Sequence, residues 1–309
     1  MANNKILVTG GAGFIGSNLV DALITTGEQV VVLDDISSGK REYLNPQAKF
    51  FEADVTDQVL VDEIFEQENF THVFHLAAQI SVKDSVANPM HDLEVNARGS
   101  YNIFKAALDN KVQKVIFVST GGALYGDVTE PAHEELPVRP TSPYAIHKFT
   151  AERYLELLRK EFGLASAVLR LANVYGPRQF KGGEGAAVAV FTHNTECGLD
   201  STIFGDGTKT RDYIYVGDVV RACQNIMTSD YQGVLNVGTG QRVSVLDLLE
   251  TIKKVSGKEV RFGYAQDRPG EVQDSVLSIA KIQRELNWQP SLSLEEGIAK
   301  TLDLSLIHI

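Results

Sequence analysis

The chain has 309 residues and carries 29 Lys and Arg against 40 Asp and Glu, a formal charge of -11. That acidic field opposes nonspecific nucleic-acid binding and leaves any anionic ligand to local arginines and helix N-termini. Hydrophobic residues make up 43% and charged residues 22%, ordinary for a soluble globular protein, and no apolar run reaches the roughly 20 residues that span a bilayer.

In chain order, Lys5 to Thr9 is a short apolar run that predicts a strand, and Ser17 to Thr26 has helical spacing. Val30 to Leu33 is continuous and β-branched, as in a strand buried on both faces. Val73 to Leu76 and Val115 to Ser119 repeat that pattern, and helical stretches are expected at Pro89 to Asn110 and Pro143 to Phe162. Ser142-Pro143 opens the second of these with a capping hydroxyl and a proline at the first helical position. Ala167 to Leu171 adds a strand. The βαβ rhythm predicts an α/β fold: a doubly wound parallel sheet of the Rossmann kind, with a smaller C-terminal α/β lobe. The rhythm breaks after Gly176-Pro177, and a glycine-rich loop at Lys181 to Gly185 precedes a helix-like Ala186 to Cys197. Gly205-Asp206-Gly207 marks a turn before Tyr213 to Val216, and Pro269-Gly270 and Trp288-Gln289-Pro290 punctuate the remainder. The expected domains are 1–179, with a return at 217–244, for the sheet, and 180–216 with 245–309 for the lobe.

Gly10, Gly13 and Gly16 stand between a predicted strand and a predicted helix, flanking Phe14 and Ile15. There a glycine motif reads as a dinucleotide phosphate loop: a tight turn, close backbone approach to the pyrophosphate, and close packing of helix on strand. Asp34 ends the second strand about 20 residues on, where a carboxylate accepts from both ribose hydroxyls and repels a 2′-phosphate, so NAD is expected over NADP. Asp35 adds to that repulsion, and Ser37 and Gly39 in the following loop join the expected cofactor set.

Tyr144 and Lys148 are i and i+4 on one helix face. A free phenol ionises near 10, so a phenolate at pH 7 needs about 3 units of help, roughly 4 kcal/mol. An ammonium and a positive nicotinamide ring both favour the phenolate. The same spacing arises on ordinary surface helices, so the pair draws its meaning from its place downstream of a phosphate loop.

Taken together, these motifs resemble the extended short-chain dehydrogenase/reductase family, in its NAD-dependent epimerase/dehydratase group. The resemblance covers nearly the whole chain. Besides the glycine loop and Tyr144…Lys148, it rests on Asp54-Val55, His75-Leu76-Ala77-Ala78-Gln79 and Asn96-Ala97-Arg98-Gly99. Further on it rests on Arg170 to Pro177, Arg211-Asp212-Tyr213 and Arg268-Pro269-Gly270-Glu271. Within the group the chain is most similar to 4-epimerases of UDP-glucose and UDP-galactose. The resemblance implies NAD as cofactor, a UDP-sugar as substrate and a two-fold pairing of the two long helices into a homodimer. It implies that Asp54 and Val55 contact the adenine, that Leu76, Ala77, Ala78 and Gln79 line the cofactor, and that Asn96 braces the sheet nearby. It places Asn173, Arg211 and Arg268 on the UDP pyrophosphate, where a guanidinium fork binds oxygens bidentately. Thr202 and Phe204 are implied beside the uracil, and Val188 near the nucleotide.

One position departs from the family. Its members normally offer a Ser or Thr to the sugar O4, and the aligned residue here is Gly121. The resemblance then implies Thr120 as the hydroxyl donor, with Ser119 lining the nicotinamide. The resembling 4,6-dehydratases carry an Asp-Glu pair after the active-site threonine, where Gly121-Gly122 stand here, so the resemblance implies that this reaction is not to be expected. A UDP-glucuronate 4-epimerase or decarboxylase stays open as an alternative. So does a noncatalytic NAD-binding regulator, although such proteins usually lose the tyrosine or lysine kept here. In the resembling epimerases the residue seven after the phosphate arginine gates the sugar pocket. Here it is the small Ser275, so tolerance of a 2-acetamido group is expected.

The rest of the chain gives expectations of a plainer kind. Cys197 and Cys223 have no metal-ligand spacing, so a reduced cytoplasm fits. Met1 leads within a few residues into a predicted strand, so no signal peptide is expected. No metal site, nucleic-acid partner or membrane contact is expected. His147 and His193 are expected to be solvated or locally bonded. The apolar stretch from Leu304 to Ile309 is read as a helix end or a non-native terminus.

Overall fold

The computed structural model describes residues 4–179, 185–267 and 272–305. Its main sheet contains β1 (Lys5–Thr9), β2 (Gln29–Asp34), β3 (Lys49–Glu52), β4 (His72–His75), β5 (Lys114–Thr120), β6 (Ser166–Leu171) and β7 (Gly233–Val237). The strand order is β7-β6-β5-β4-β1-β2-β3. β1 pairs in parallel with β2 and β4, β2 with β3, and β4 with β5. The expected doubly wound α/β fold is therefore present. The order reverses beside β1, and the carboxyl ends of β1 and β4 make the switch point at which such sheets bind ligands.

The strands form where their sequence is apolar without alternation. Ile6, Leu7 and Val8 are fully buried, and so are Val32 and Leu33, which is what burial of both faces demands. Burying each such side chain contributes roughly 1.5–3 kcal/mol. β3 has no comparable sequence signal, since Lys49–Glu52 pairs only at the sheet edge and stays partly exposed. The helix Gln58–Glu68 likewise declares itself mainly through its cap, with the Asp57 carboxylate accepting from Leu60 N at 3.1 Å.

The long helix Pro143–Phe162 runs as expected. Ser142 Oγ accepts from Ala145 N at 3.3 Å, and Gly163 ends the helix at φ 74°. The helix expected over Pro89 to Asn110 is present without a break to Asp109, and its middle is irregular. Pro89–Asp92 is α-helical, Leu93–Gly99 forms a π-helical segment, and Ser100–Asp109 returns to α. The wider turn accommodates two demands that a uniform helix does not. Asn96 bonds the backbone of Gln79 on both sides, and Gly99 lies so close to Val55 that an added Cβ would be 2.6 Å from its Cγ2.

The chain divides into two compact units. The first comprises 1–120, 142–170 and 220–235. Its core gathers Leu7, Leu33, Phe65, Phe104, Phe117 and Leu155, among others. The second comprises 121–141, 171–219 and 236–309. It holds three short strand pairs: Asn173–Tyr175 with Tyr213–Tyr215, Ser201–Phe204 with Phe262–Ala265, and Thr210–Arg211 with Val243–Ser244. The helices Ala187–Cys197, Val245–Ser256 and Leu294–Ser305 surround them, with Tyr175, Phe191, Ile203, Leu248 and Ile298 in the core. Among the described residues no helix is long and apolar enough to cross a membrane.

Candidate active site

In the first unit, β1 ends directly on the glycine loop. Gly10 adopts φ 71°, a left-handed conformation that L side chains rarely take. A Cβ there would also lie 2.7 Å from Ala77 N, so only glycine lets the loop meet the chain leaving β4. Gly13 N donates to Gly10 O at 3.1 Å and Gly13 caps the helix Phe14–Thr25. Among the described residues no side chain caps that N-terminus, and its first turn carries no acid, which leaves the N–H groups and the dipole available to a phosphate. Gly16 is buried at the helix–strand contact, and Phe14 and Ile15 are half-buried.

The two acids after β2 separate cleanly. Asp34 is buried, its Oδ2 accepting from Ala12 N and its Oδ1 from Ile36 N, both at 2.9 Å. Burial holds its carboxyl above the usual range, and the two backbone bonds oppose that shift. Asp35 is exposed, and its Oδ1 accepts from Ser37 N at 2.9 Å and Ser37 Oγ at 2.5 Å. The inward carboxylate thus belongs to Asp34, while Asp35 organises the loop that carries Ser37. Gly39 packs on Ala12, and Lys40 N donates to Ala12 O at 3.0 Å.

The segment Leu76 to Gln79 is half-buried at the carboxyl end of β4. Thr9 Oγ1 accepts from Leu76 N and Ala77 N at 3.2 Å and lies 2.7 Å from His75 Nδ1. His75 Nε2 reaches Ser100 Oγ at 2.9 Å, and burial drives this imidazole well below its ordinary pKa. Asn96, in the π segment, is fully buried and exchanges bonds with Gln79 N and O at 3.1 and 2.8 Å. Val55 is buried and its carbonyl accepts from Asn102 Nδ2 at 3.0 Å, whereas Asp54 is exposed and its Oδ1 accepts from Thr56 N.

The helix Pro143–Phe162 presents Tyr144 half-buried and Lys148 buried. Lys148 is 2% exposed, its Nζ donates to Val118 O at 2.8 Å, and it stands 4.2 Å from the Phe117 ring centroid. Burial lowers its pKa to about 7, against the upward pull of the Glu152 and Asp92 carboxylates. Val118 leads into the end of β5, where Thr120 is half-buried. Ser119 Oγ is buried with no hydrogen-bond partner among the described residues. A buried orphan hydroxyl is uncommon in a native interior; this one adjoins the strand that Lys148 grips. That hydroxyl, the open helix N-terminus and the Asp34 carboxylate fit a nicotinamide dinucleotide.

In the second unit, the side chains expected around the nucleotide fall in several places. Asn173 and Ser275 both approach Gly122, whose added Cβ would lie 3.4 Å from Asn173 Oδ1 and 3.9 Å from Ser275 Oγ. Arg211 Nη1 donates to Thr210 O at 2.8 Å and Gln273 O at 3.2 Å. Thr202 is exposed and Phe204 half-buried on one face of their strand. Val188 is fully buried in the core of the second unit, on the helix face that also carries Phe191. Arg268 lies outside the described residues.

His147 is corrected. It is neither solvated nor locally bonded, for its Nδ1 sits 2.6 Å from Asp92 Oδ1, 55 residues away. Sequence reasoning also missed the Thr9–His75–Ser100 row, whose only signal is the histidine before Leu76. Asp212, between the two motif residues beside it, is 1% exposed and accepts from Thr239 N, Thr239 Oγ1 and Gly240 N.

Comparisons with known proteins show what the whole chain is similar to. A UDP-glucose 4-epimerase of Mycolicibacterium smegmatis is 42% identical over 308 residues, 97% of each chain. The structure of a UDP-glucose 4-epimerase from Thermotoga maritima with UDP-glucose superposes at TM-score 0.96 with 44% identity, covering 98% of this chain and 99% of that one. The UDP-glucose 4-epimerase of Thermus thermophilus complexed with NAD gives TM-score 0.95 at 41% identity, covering 99% and 100%. Residues 6–238 match the profile of the NAD dependent epimerase/dehydratase family, and the chain belongs to that family.

Proposed function

We propose that the protein is an NAD-dependent 4-epimerase of a UDP-sugar, acting on UDP-glucose and UDP-galactose and also on their 2-acetamido counterparts, in the cytoplasm. NAD, when bound, would supply reversible hydride acceptance at the sugar C4. Gly10, Gly13, Phe14, Ile15 and Gly16 hold its pyrophosphate, with Asp34 on the ribose. Asp35, Ser37 and Gly39 form the adjoining loop, and Asp54 and Val55 lie by the adenine. Leu76, Ala77, Ala78, Gln79, Asn96 and Ser119 line the remainder.

Tyr144, as phenolate, removes the O4 proton while C4 is oxidised, and returns it after the transient 4-keto sugar has turned over. Thr120 donates to O4, and the Lys148 ammonium favours the phenolate. Asn173, Arg211 and Arg268 hold the diphosphate, and Thr202 and Phe204 the uracil. The sugar itself stays loosely held, because it must present both faces of C4. The observation that carries this reading is Lys148: a buried amine anchored to Val118 O, one helical turn from a half-buried tyrosine.

Ser275 beside Gly122 supports room for an acetamido group. The exposed stripe of Ile146, Tyr154 and Leu157 on Pro143–Phe162 supports a homodimer made by that helix. The test is Tyr144→Phe, assayed on UDP-glucose without added reductant. Activity below a few per cent of native is expected, and substrate deuterated at C4 keeps its label in the native enzyme. Label lost to solvent contradicts the mechanism.

A further inference from the structure

Asp92 ends the short helix before the π segment, and its side chain is fully buried. Its Oδ1 accepts from His147 Nδ1 at 2.6 Å. Its Oδ2 accepts from Gln79 Nε2 at 2.7 Å and from Asn96 Nδ2 at 3.0 Å. Gln79 is fixed a second time, since Nε2 also donates to Ser81 O at 2.9 Å and its backbone bonds Asn96 on both sides. His147 lies on the helix of Tyr144 and Lys148, immediately before the lysine, with a side chain 13% exposed. One carboxylate therefore ties together three pieces of chain: the cofactor loop 13 residues before it, the π segment, and the helix 55 residues after it.

Asp92 and Asn96 are fully buried while Gln79 and His147 are partly so, and a donor removed from the Asp92 carboxylate leaves a buried acceptor unsatisfied at a cost of about 1–3 kcal/mol. A buried network of this kind rigidifies what it joins when every member is satisfied. Here the joined pieces are the segment that lines the cofactor and the helix that carries the reacting phenol.

We propose that His147 and Asp92 are positioning residues that lock the Tyr144–Lys148 helix onto Gln79, so that retention of NAD depends on a hydrogen bond made away from the reacting atoms. This rests on the reading of the chain as an NAD-dependent epimerase. The required feature is an N–H at position 147 facing the carboxylate, not a positive charge. Asparagine supplies one close to the reach of the imidazole Nδ1, and leucine supplies none.

The experiment compares native protein, His147→Leu and His147→Asn as purified. It measures bound NAD, the rate of NAD release, and kcat and KM for UDP-glucose. His147→Leu is expected to release NAD about 10-fold faster, equivalent to about 1.4 kcal/mol, with reduced kcat and a KM within about twofold of native. His147→Asn is expected to stay within about threefold of native in NAD release. NAD release from His147→Leu at the native rate overturns the proposal, and so does release from His147→Asn as fast as from the leucine variant. If His147→Leu does not fold, Asp92→Asn replaces it, and native-rate release from that variant overturns the proposal equally. A native protein that retains NAD but interconverts no UDP-sugar sinks the epimerase reading alone, since NAD release still judges the lock.

Discussion

Leu277 fills the space beside Gly121. A Cβ on that glycine would lie 2.6 and 2.8 Å from the two Leu277 methyl carbons and 3.3 Å from Leu171 O, and Leu277 is 1% exposed. A side chain at Gly121 therefore finds no room, because a leucine from elsewhere in the second unit occupies the space. Gly121→Ser is expected to lower stability by about 1–3 kcal/mol through overpacking, without raising turnover. In Thr120→Val, where loss of a positioned donor costs ~10²–10³ in rate, Gly121→Ser restores nothing. Urea titration of Gly121→Ser, Leu277→Ala and the double variant checks the contact. The double variant should be less destabilised than the sum of the singles, by about 1 kcal/mol; strict additivity refutes the steric cause.

Lys148 predicts a pH dependence of stability with a definite sign. Its pKa falls from the ordinary 10.5 to about 7 in the folded protein, with burial as the leading cause. Between those values the unfolded chain binds the extra proton, so stability rises with pH through that window and the folded state is weakest below it. From pH 6 to pH 9 this group adds about 2–3 kcal/mol of stability. Lys148→Met removes that increment. Unfolding curves of native and variant protein at both pH values measure it, and parallel slopes for the two proteins would rule out Lys148 as its origin.

Glu152 lies one turn beyond Lys148 and faces Arg170 on β6. Arg170 Nε donates to both Glu152 oxygens at 3.1 Å and Nη2 donates at 2.6 Å, with both side chains buried. Removing one partner strands a buried charge, so Arg170→Met is expected to cost roughly 3–5 kcal/mol. Replacing both residues by apolar ones of similar volume should recover much of that loss. Because Glu152 helps hold the Lys148 pKa up, the double variant should also shift the rise in stability with pH to lower pH. A double variant as unstable as the single one, with an unmoved pH window, contradicts this.

The sheet, the glycine loop and the Tyr144 helix were legible because each depends on local chemistry. Continuous apolar runs mark buried parallel strands, Gly10 marks a left-handed turn, and Ser142-Pro143 marks a helix start. The edge strand Lys49–Glu52 and the π segment were not, because their causes are distant partners: β2 for the strand, and Gln79 and Val55 for the segment. The same distinction runs through the site. Asp34 follows from its spacing to the glycines, whereas the Asp92–His147 bond joins residues 55 apart in no motif. Helical periodicity alone did not disclose that Val188 points into the core, for the apolar face of Ala187–Cys197 is broad.

Ser275 provides the last prediction, on substrate width. It is 6% exposed, its backbone N donates to Thr210 O at 3.2 Å, and its Oγ would stand 3.9 Å from a Cβ on Gly122. A buried backbone anchor fixes the direction of whatever side chain stands here, and a small one leaves room next to Gly122 and Asn173. Ser275→Tyr fills that room with a ring. The extra bulk of an acetamido group then meets the ring, while the smaller hydroxyl of UDP-glucose does not, and shape discrimination of this sort is worth ~10–10²-fold in kcat/KM. Activity on UDP-N-acetylglucosamine should therefore fall by that factor, with UDP-glucose turnover within about threefold of native. Parallel kinetics on the two substrates decide the matter: equal losses on both would mean that Ser275 supports the fold and does not gate the sugar.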